Sequence, residues 1–184
     1  MVAHFSDDGW LQGVRHLPSL NCNLRPANAD VNLLIIHNIS LPPAQFGGGY
    51  VDQLFCNTLD CNAHPYFEQL RDLRVSAHFF IDRSGEVTQY VSLDQRAWHA
   101  GVSQWDGQEN CNDFSVGIEL EGTDTLPYAD AQYTALQKIV RQIMAYFPSM
   151  TTDRIVGHCD VAPARKTDPG ESFDWHRLRA SLCV

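Results

Sequence analysis

The sequence is poor in basic residues and contains no long apolar run. Lysine and arginine together number 13, against 22 aspartate and glutamate residues, which gives a formal net charge of −9. Nucleic-acid binding releases counterions to a basic surface, so this charge argues against nucleic acid as a partner. No stretch approaches the ~20 apolar residues that a membrane-spanning helix requires. We therefore expect neither nucleic acid nor a membrane among the partners.

The N-terminal residues lack the features of a secretory signal peptide. Residues 1–8 contain no basic segment and no apolar core, and they include two aspartates. Without an export signal, the six cysteines are expected to be reduced thiols, and we predict a cytoplasmic protein. Cys56 and Cys61 are the nearest pair, but one such pair without a second is a weak signal for a structural zinc site.

The composition is typical of a folded globular domain. Apolar residues make up 44% of the chain and charged residues 19%, with no repeat, no low-complexity block and no evident linker. The length of 184 residues is close to the typical length of one domain, ~150 residues. We therefore predict that residues 1–184 form a single domain.

The spacing of apolar residues predicts an α/β fold. Short β-branched and aromatic runs predict strands at 32–37, 77–81, 87–91, 115–121 and 154–158, of which the second and third form a hairpin. Helical spacing predicts helices at 66–73, 130–147 and 171–182. Two prolines and a triple glycine predict a long loop from 41 to 60. Because strands and helices are intermixed, we expect a mixed central β-sheet flanked by α-helices.

Polar residues able to bind a metal occur at or near the ends of the predicted strands. His37, Glu119 and His158 have this position, and Asp168 follows ten residues after the last of them. Two imidazoles and one carboxylate suit Zn²⁺ and leave a fourth position for water, whose pKa the metal lowers toward ~7. Such a centre would be hydrolytic. Spacing alone leaves this interpretation open, because the chain has eight histidines.

A structural role is also possible for each of these residues. Either histidine could be a hydrogen-bonded residue at the end of its strand. Asp168 precedes a proline and could begin a turn, and Glu119 could lie on the polar face of a half-exposed strand. Arg165 and Lys166 could be solvated loop charges. His78 lies between apolar residues and is expected to be a buried histidine with satisfied hydrogen bonds.

Several separated sequence segments favour the catalytic interpretation. They are, in chain order, LIIHNISLP (34–42), RAWHAG (96–101), NDFSVGIELEG (112–122), GHCDVAP (157–163) and KTDPG (166–170). Together these segments resemble those of the zinc-dependent N-acetylmuramoyl-L-alanine amidases of type 2. The resemblance extends from about residue 9 to residue 182 and implies an amidase fold related to peptidoglycan-recognition domains.

The resemblance implies a role for each matching residue. His37, His158 and Asp168 match the zinc ligands of the family. Glu119 matches the general base, and Lys166 matches the residue that stabilises the oxyanion. The residues in segments that line the substrate groove of similar enzymes are Asn38, Arg74, Trp98, His99 and Arg165.

The function implied by the resemblance is hydrolysis of a muropeptide. The segments are most similar to the cytosolic branch of the family, which cleaves the amide bond between the lactyl group of 1,6-anhydro-N-acetylmuramic acid and L-alanine during peptidoglycan recycling. The expected partner is an anhydromuramyl peptide, and no obligate protein partner is expected. Two alternatives are a non-catalytic peptidoglycan-binding module, which usually lacks a metal ligand, and an amidase that acts on intact cell wall.

Overall fold

A mixed β-sheet forms the centre of the protein, whose computed structural model describes residues 4–182. The strands are β1 (Arg15–His16), β2 (Cys22–Leu24), β3 (Leu33–Ile39), β4 (Phe79–Ile81), β5 (Val87–Gln89), β6 (Gln95–Ala97), β7 (Gln104–Trp105), β8 (Gln108–Glu109), β9 (Ser115–Glu121) and β10 (Ile155–Gly157). The α-helices are α1 (Tyr50–Phe55), α2 (Asp130–Tyr146), α3 (His158–Val161) and α4 (Trp175–Leu182). Short 3-10 helices occur at Pro65–Leu70, Cys111–Asp113 and Thr152–Arg154.

Six strands form the main sheet, in the order β1-β5-β4-β9-β3-β10. The two longest strands, β3 and β9, are parallel neighbours at its centre, and their register places His37 beside Glu119. Both strands are covered on both faces, as is usual for parallel strands with apolar runs. β4 and β5 pair in antiparallel fashion and form the predicted hairpin.

Alternation along β3 and β9 sends their side chains to two different layers. Leu34 and Ile36 pack with the apolar face of α2, together with Val116, Ile118 and Leu120 of β9. Leu33 and Ile35 pack on the opposite face, against the layer that contains α3. His37 continues this second series along β3, so His37 and its neighbour Glu119 both lie on the sheet face opposite α2.

The mixed sheet with flanking helices confirms the predicted fold class. The strands at 32–37 and 115–121, the hairpin and the helix from residue 130 agree with the structure within a few residues. Asp130 is the first residue of α2. The N-cap position belongs to Ala129, and the carboxylate of Asp130 forms an ion pair with Arg177 at 2.5 Å.

Other predicted elements differ from the structure. The loop predicted at 41–60 contains α1, which buries Val51, Leu54 and Phe55 at helical spacing. The helix predicted at 66–73 is the 3-10 helix Pro65–Leu70. The last strand ends at Gly157, because the Asp160 carboxylate accepts the Gly157 N–H at 2.7 Å and the chain turns into α3 at His158. The final helix begins at residue 175 and not at 171.

The cysteines in the described range, Cys22, Cys56, Cys61, Cys111 and Cys159, form no disulfide with one another. Cys183 lies outside the described residues, as do residues 1–3 at the start of the chain. Within residues 4–182, no helix has the combination of length and apolar character needed to cross a bilayer.

Candidate metal centre and active-site cleft

Three side chains from distant parts of the chain converge at the end of β3. The Nδ1 atoms of His37 and His158 are 2.9 Å apart, and Asp168 Oδ2 lies 3.2 Å from the first and 3.0 Å from the second. In a tetrahedral zinc site with bonds of 2.0–2.2 Å, neighbouring ligand atoms are separated by about 3.3–3.6 Å, a few tenths of an ångström more than here. The predicted triad is therefore assembled with nearly the spacing that a zinc ion requires.

The ring nitrogens and the carboxylate of the triad are in a state that favours binding of a cation between them. His158 Nε2 lies 3.0 Å from the carbonyl oxygen of Ala100, which can only accept, so this nitrogen carries a hydrogen and Nδ1 is the nitrogen that faces the centre. Burial lowers the pKa of His37 to about 4, so the His37 ring is neutral at pH 7. Burial opposes ionisation of Asp168, but its contacts with His158 and His37 outweigh burial and lower the pKa of the carboxyl. Two ring nitrogens and one carboxylate oxygen thus face one another, which is the donor set of a zinc site.

Glu119 provides a second carboxylate beside the triad. Its neighbour in the strand register is His37, and its Oε2 atom is buried without a hydrogen-bond partner among residues 4–182. Burial raises the pKa of this carboxyl well above its ordinary value, the charge of Asp168 raises it further, and Lys166 acts in the opposite direction. A buried carboxylate lacking a partner is costly for folding, and a raised pKa is typical of a group that transfers protons.

A cleft of about 360 Å³ opens over this centre. Its polar lining includes Asn38, Ser40, Ser76, His99, Glu119, His158, Lys166 and Asp168. Its apolar lining includes Leu41, Pro43, Leu54, Phe55, Tyr66, Leu70, Leu73 and Val75. A larger groove of about 840 Å³ lies beside α2, but its lining within the described range contains no histidine and no carboxylate. The smaller cleft is therefore the candidate active site.

The structure separates the predicted substrate-binding residues into two groups. Asn38 and His99 line the cleft. The Arg74 guanidinium is exposed and donates to carbonyls of its own loop, and Trp98 Nε1 donates to Asn23 Oδ1 at 2.7 Å. Arg165 donates to the carbonyls of Ala100 and Val102 at 2.6 and 2.7 Å. None of these three lines the cleft, so their contact with a substrate stays a prediction.

The loop that carries Asp168 is fixed by hydrogen bonds that the sequence did not indicate. The Asn38 amide nitrogen donates to Asp124 Oδ1 at 2.8 Å and to the Pro169 carbonyl at 3.2 Å. The Tyr128 hydroxyl donates to the same carbonyl at 2.7 Å. A Cβ atom added to Gly170 would lie 2.2 Å from the Cα of Asp124, so only glycine permits this close packing. Asp124 and Tyr128 lie in an irregular polar segment whose pattern gave no sign of this role.

Comparison with known proteins agrees with the geometry. A family model described as N-acetylmuramoyl-L-alanine amidase matches residues 27–171. The 1,6-anhydro-N-acetylmuramyl-L-alanine amidase AmpD of Salmonella typhimurium is 55% identical over 178 residues, which cover 97% of this chain and 95% of that protein.

Solved structures give the same result. The crystal structure of a selenomethionine derivative of AmpD matches with a TM-score of 0.93 and 55% identity, over 96% of this chain and 98% of that one. AmiD from Escherichia coli was solved in complex with its substrate anhydro-N-acetylmuramic acid-L-Ala-D-γ-Glu-L-Lys. It matches with a TM-score of 0.62 and 27% identity, over 98% of this chain and 65% of that one. The expectation drawn from the separated sequence segments is confirmed: this chain belongs to the N-acetylmuramoyl-L-alanine amidase family.

Proposed function

We propose that residues 1–184 act as one zinc amidase domain that hydrolyses the bond between the lactyl group of 1,6-anhydro-N-acetylmuramic acid and L-alanine, during peptidoglycan recycling in the cytoplasm. The observation that carries the proposal is the convergence of His37, His158 and Asp168 beside Glu119, whose Oε2 atom is buried with no hydrogen-bond partner in residues 4–182. The identity of 55% to AmpD of S. typhimurium over almost the whole of both chains supports this substrate.

Amide hydrolysis needs an activated nucleophile, a polarised carbonyl and a proton for the leaving nitrogen. His37, His158 and Asp168 would hold the zinc ion, which supplies Lewis-acid activation of water and of the substrate carbonyl. Glu119 would accept the proton of the attacking water and pass it to the departing alanine nitrogen. Burial raises the pKa of Glu119 above that of an ordinary carboxyl, which makes it a stronger base toward the attacking water.

Lys166 would stabilise the negative charge that develops on the amide oxygen. Its side chain lines the cleft with Glu119 and Asp168, and it is exposed, so its ammonium group can reach a bound substrate. A fixed positive charge at the oxyanion lowers the barrier because the charge appears only as the transition state is approached.

The test of the proposal combines metal removal with analysis of products. Treating the protein with a strong chelator should abolish release of L-alanyl peptide from an anhydromuropeptide, and added Zn²⁺ should restore it. Activity that survives verified removal of metal would refute the zinc assignment.

The general base is tested with a matched variant. Glu119→Gln keeps the size and shape of the side chain but cannot accept a proton, so kcat should fall by ~10²–10⁴ while zinc binding is retained. Near-normal turnover would move the role to another group.

The same assays distinguish the alternatives. A peptidoglycan-binding module would bind the anhydromuropeptide without releasing peptide, even when loaded with zinc. An enzyme of the intact cell wall would cleave purified sacculi as fast as anhydromuropeptides, whereas a recycling enzyme should cleave the anhydromuropeptides much faster.

A further inference from the structure

Two consecutive residues contact the outer nitrogen of both histidine ligands. His99 Nδ1 lies 3.0 Å from His37 Nε2, and the carbonyl oxygen of Ala100 lies 3.0 Å from His158 Nε2. In each ligand ring, the nitrogen that faces the metal position is Nδ1, so Nε2 is the nitrogen available for such a contact. One short segment, residues 99–100, therefore contacts both rings on the side that faces away from the metal position.

A single buried side chain holds this segment in place. Asn112 Oδ1 accepts the backbone N–H of His99 at 3.1 Å and that of Ala100 at 2.8 Å. Asn112 is only 6% exposed, and the Ala100 carbonyl also accepts from Arg165 at 2.6 Å. The segment is thus fixed by contacts at both its N–H and its C=O groups.

The contacts of His99 define one consistent arrangement of hydrogens. If His37 Nδ1 provides a lone pair to a metal, His37 Nε2 carries the hydrogen and donates it to His99 Nδ1. His99 then carries its own hydrogen on Nε2, which faces Ser115 Oγ at 3.4 Å. The His99 ring fits there only because residue 117 is glycine, since a Cβ at that position would lie 2.4 Å from the ring.

We propose that residues 99–100 orient both imidazole ligands, and that His99 is a positioning residue which acts through His37 and not through a contact with substrate. This inference rests on the proposed zinc amidase function. His99 lines the cleft but is only 8% exposed, so little of its ring is available to a muropeptide. Partners of this kind fix the tautomer of a metal ligand and raise its basicity.

The test uses two variants of similar size. The Asn side chain in His99→Asn places an oxygen near the position of Nδ1 and can accept from His37, whereas the Leu side chain in His99→Leu cannot accept. Zinc affinity is measured on the metal-free full chain by competition with a chromophoric chelator. We expect the dissociation constant to rise by ~10–100-fold in His99→Leu and to stay near the wild-type value in His99→Asn. Equal affinity in wild type and His99→Leu, or equal weakening in both variants, would overturn the inference.

Two further measurements keep the inference testable if His99→Leu does not fold. The ring ¹⁵N chemical shifts of the zinc-loaded wild-type protein should show His99 with a bare Nδ1 and a hydrogen on Nε2, and the opposite tautomer would contradict the proposal. At full zinc occupancy, His99→Asn should have the wild-type KM for an anhydromuropeptide. A raised KM would instead assign His99 to substrate binding.

The zinc titration of the wild-type protein separates this inference from the proposed function. If the wild-type chain binds no zinc, the proposed function itself fails. If the wild-type chain binds zinc and releases L-alanyl peptide, but His99→Leu and His99→Asn have the same zinc affinity as each other, only the role of His99 fails.

Discussion

Gly117 offers a direct test of how tightly the metal centre is packed. It lies in β9, where an added Cβ atom would be 2.4 Å from Cγ, 2.5 Å from Nδ1 and 2.6 Å from Cδ2 of His99. These distances are below the 3.0 Å that real Cβ contacts respect, so Gly117→Ala forces the imidazole ring to move. The ring cannot move freely, because its backbone N–H is held by Asn112 and its Nδ1 faces His37.

The expected cost follows from two opposing effects. Overpacking a well-filled interior costs ~1–3 kcal/mol in free energy of unfolding. Replacing glycine by alanine also reduces the entropy of the unfolded chain, which stabilises by about 0.4–1 kcal/mol where the backbone conformation is compatible. Gly117 does not have the positive φ that would add strain. Gly117→Ala should therefore destabilise by about 1–2 kcal/mol, or lower Tm by about 2–8 °C for a chain of this size.

A double-mutant cycle identifies the source of this cost. Urea denaturation of the chelator-treated proteins gives the free energy of unfolding for wild type, Gly117→Ala, His99→Ala and the double variant. In the His99→Ala background the new methyl group no longer meets a ring, so Gly117→Ala should be neutral or slightly stabilising. The reasoning would be refuted if Gly117→Ala cost the same free energy in both backgrounds.

Three other predictions test separate parts of the structure. Lys166→Met should lower kcat by ~10²–10³ with little change in zinc affinity, and an unchanged kcat would exclude the oxyanion role. Burial, helped by the charge of Arg25, lowers the pKa of His78 from 6.5 to about 3, so the unfolded chain takes up a proton before the folded chain does. The free energy of unfolding should then fall by up to about 1.4 kcal/mol per pH unit below pH 6.5 because of this residue. His78→Asn should remove that part of the slope in urea titrations between pH 7 and pH 5, and an unaltered slope would contradict the argument. Glu121 accepts the Gly47 N–H at 2.5 Å and a second backbone N–H in the β4–β5 turn. Glu121→Ala should cost ~1–3 kcal/mol in total for the two lost hydrogen bonds and expose the glycine loop to limited proteolysis, whereas wild-type protease resistance would show that the loop is held by other contacts.

The sequence predicted the long elements and the short strands β4, β5 and β10, but it missed the other short strands and α1. β3, β9 and α2 are each at least seven residues long; β3 is recognised by a continuous apolar run, and β9 and α2 by the spacing of their apolar positions. β1, β7 and β8 have two residues each, too few for any period. β2 has three residues and is a strand only because it pairs with β6. Since β6 lies more than 70 residues further along the chain, no local pattern predicts this pairing. α1 follows directly after the three glycines that predicted a loop, and its six residues are helical because they bury one apolar side in the core.

His78 illustrates a local pattern that was interpreted correctly. Its apolar neighbours predicted a buried histidine with satisfied hydrogen bonds, and it is 0% exposed. Its Nδ1 accepts the Gly117 N–H at 3.0 Å, and its Nε2 lies 3.1 Å from the Gln95 carbonyl. The flanking residues were sufficient here because His78 directly precedes β4, and its apolar sequence neighbours Ala77 and Phe79 are buried with it.

The metal centre could not be derived in the same way. His37 and His158 are 121 residues apart, and whether they meet depends on β10 pairing with β3, which no local pattern encodes. Their assignment before the structure came from the resemblance of whole segments to a known family. Once β3 and β9 are known to be parallel neighbours, the position of Glu119 follows from alternation, since register partners point to the same face.

The groups that orient the ligands show why residue types alone could not define this site. The Ala100 carbonyl faces His158, and the Pro169 carbonyl receives the hydrogen bonds that fix the loop of Asp168. Every residue has a carbonyl group, so a sequence gives no indication of which of them will support a metal ligand. Changing the side chain of residue 100 would leave its carbonyl oxygen in place, whereas moving the backbone would displace it. The precision of the centre therefore depends on the path of the chain, and on side chains such as Asn112 and Asn38 that fix that path by hydrogen-bonding to the backbone.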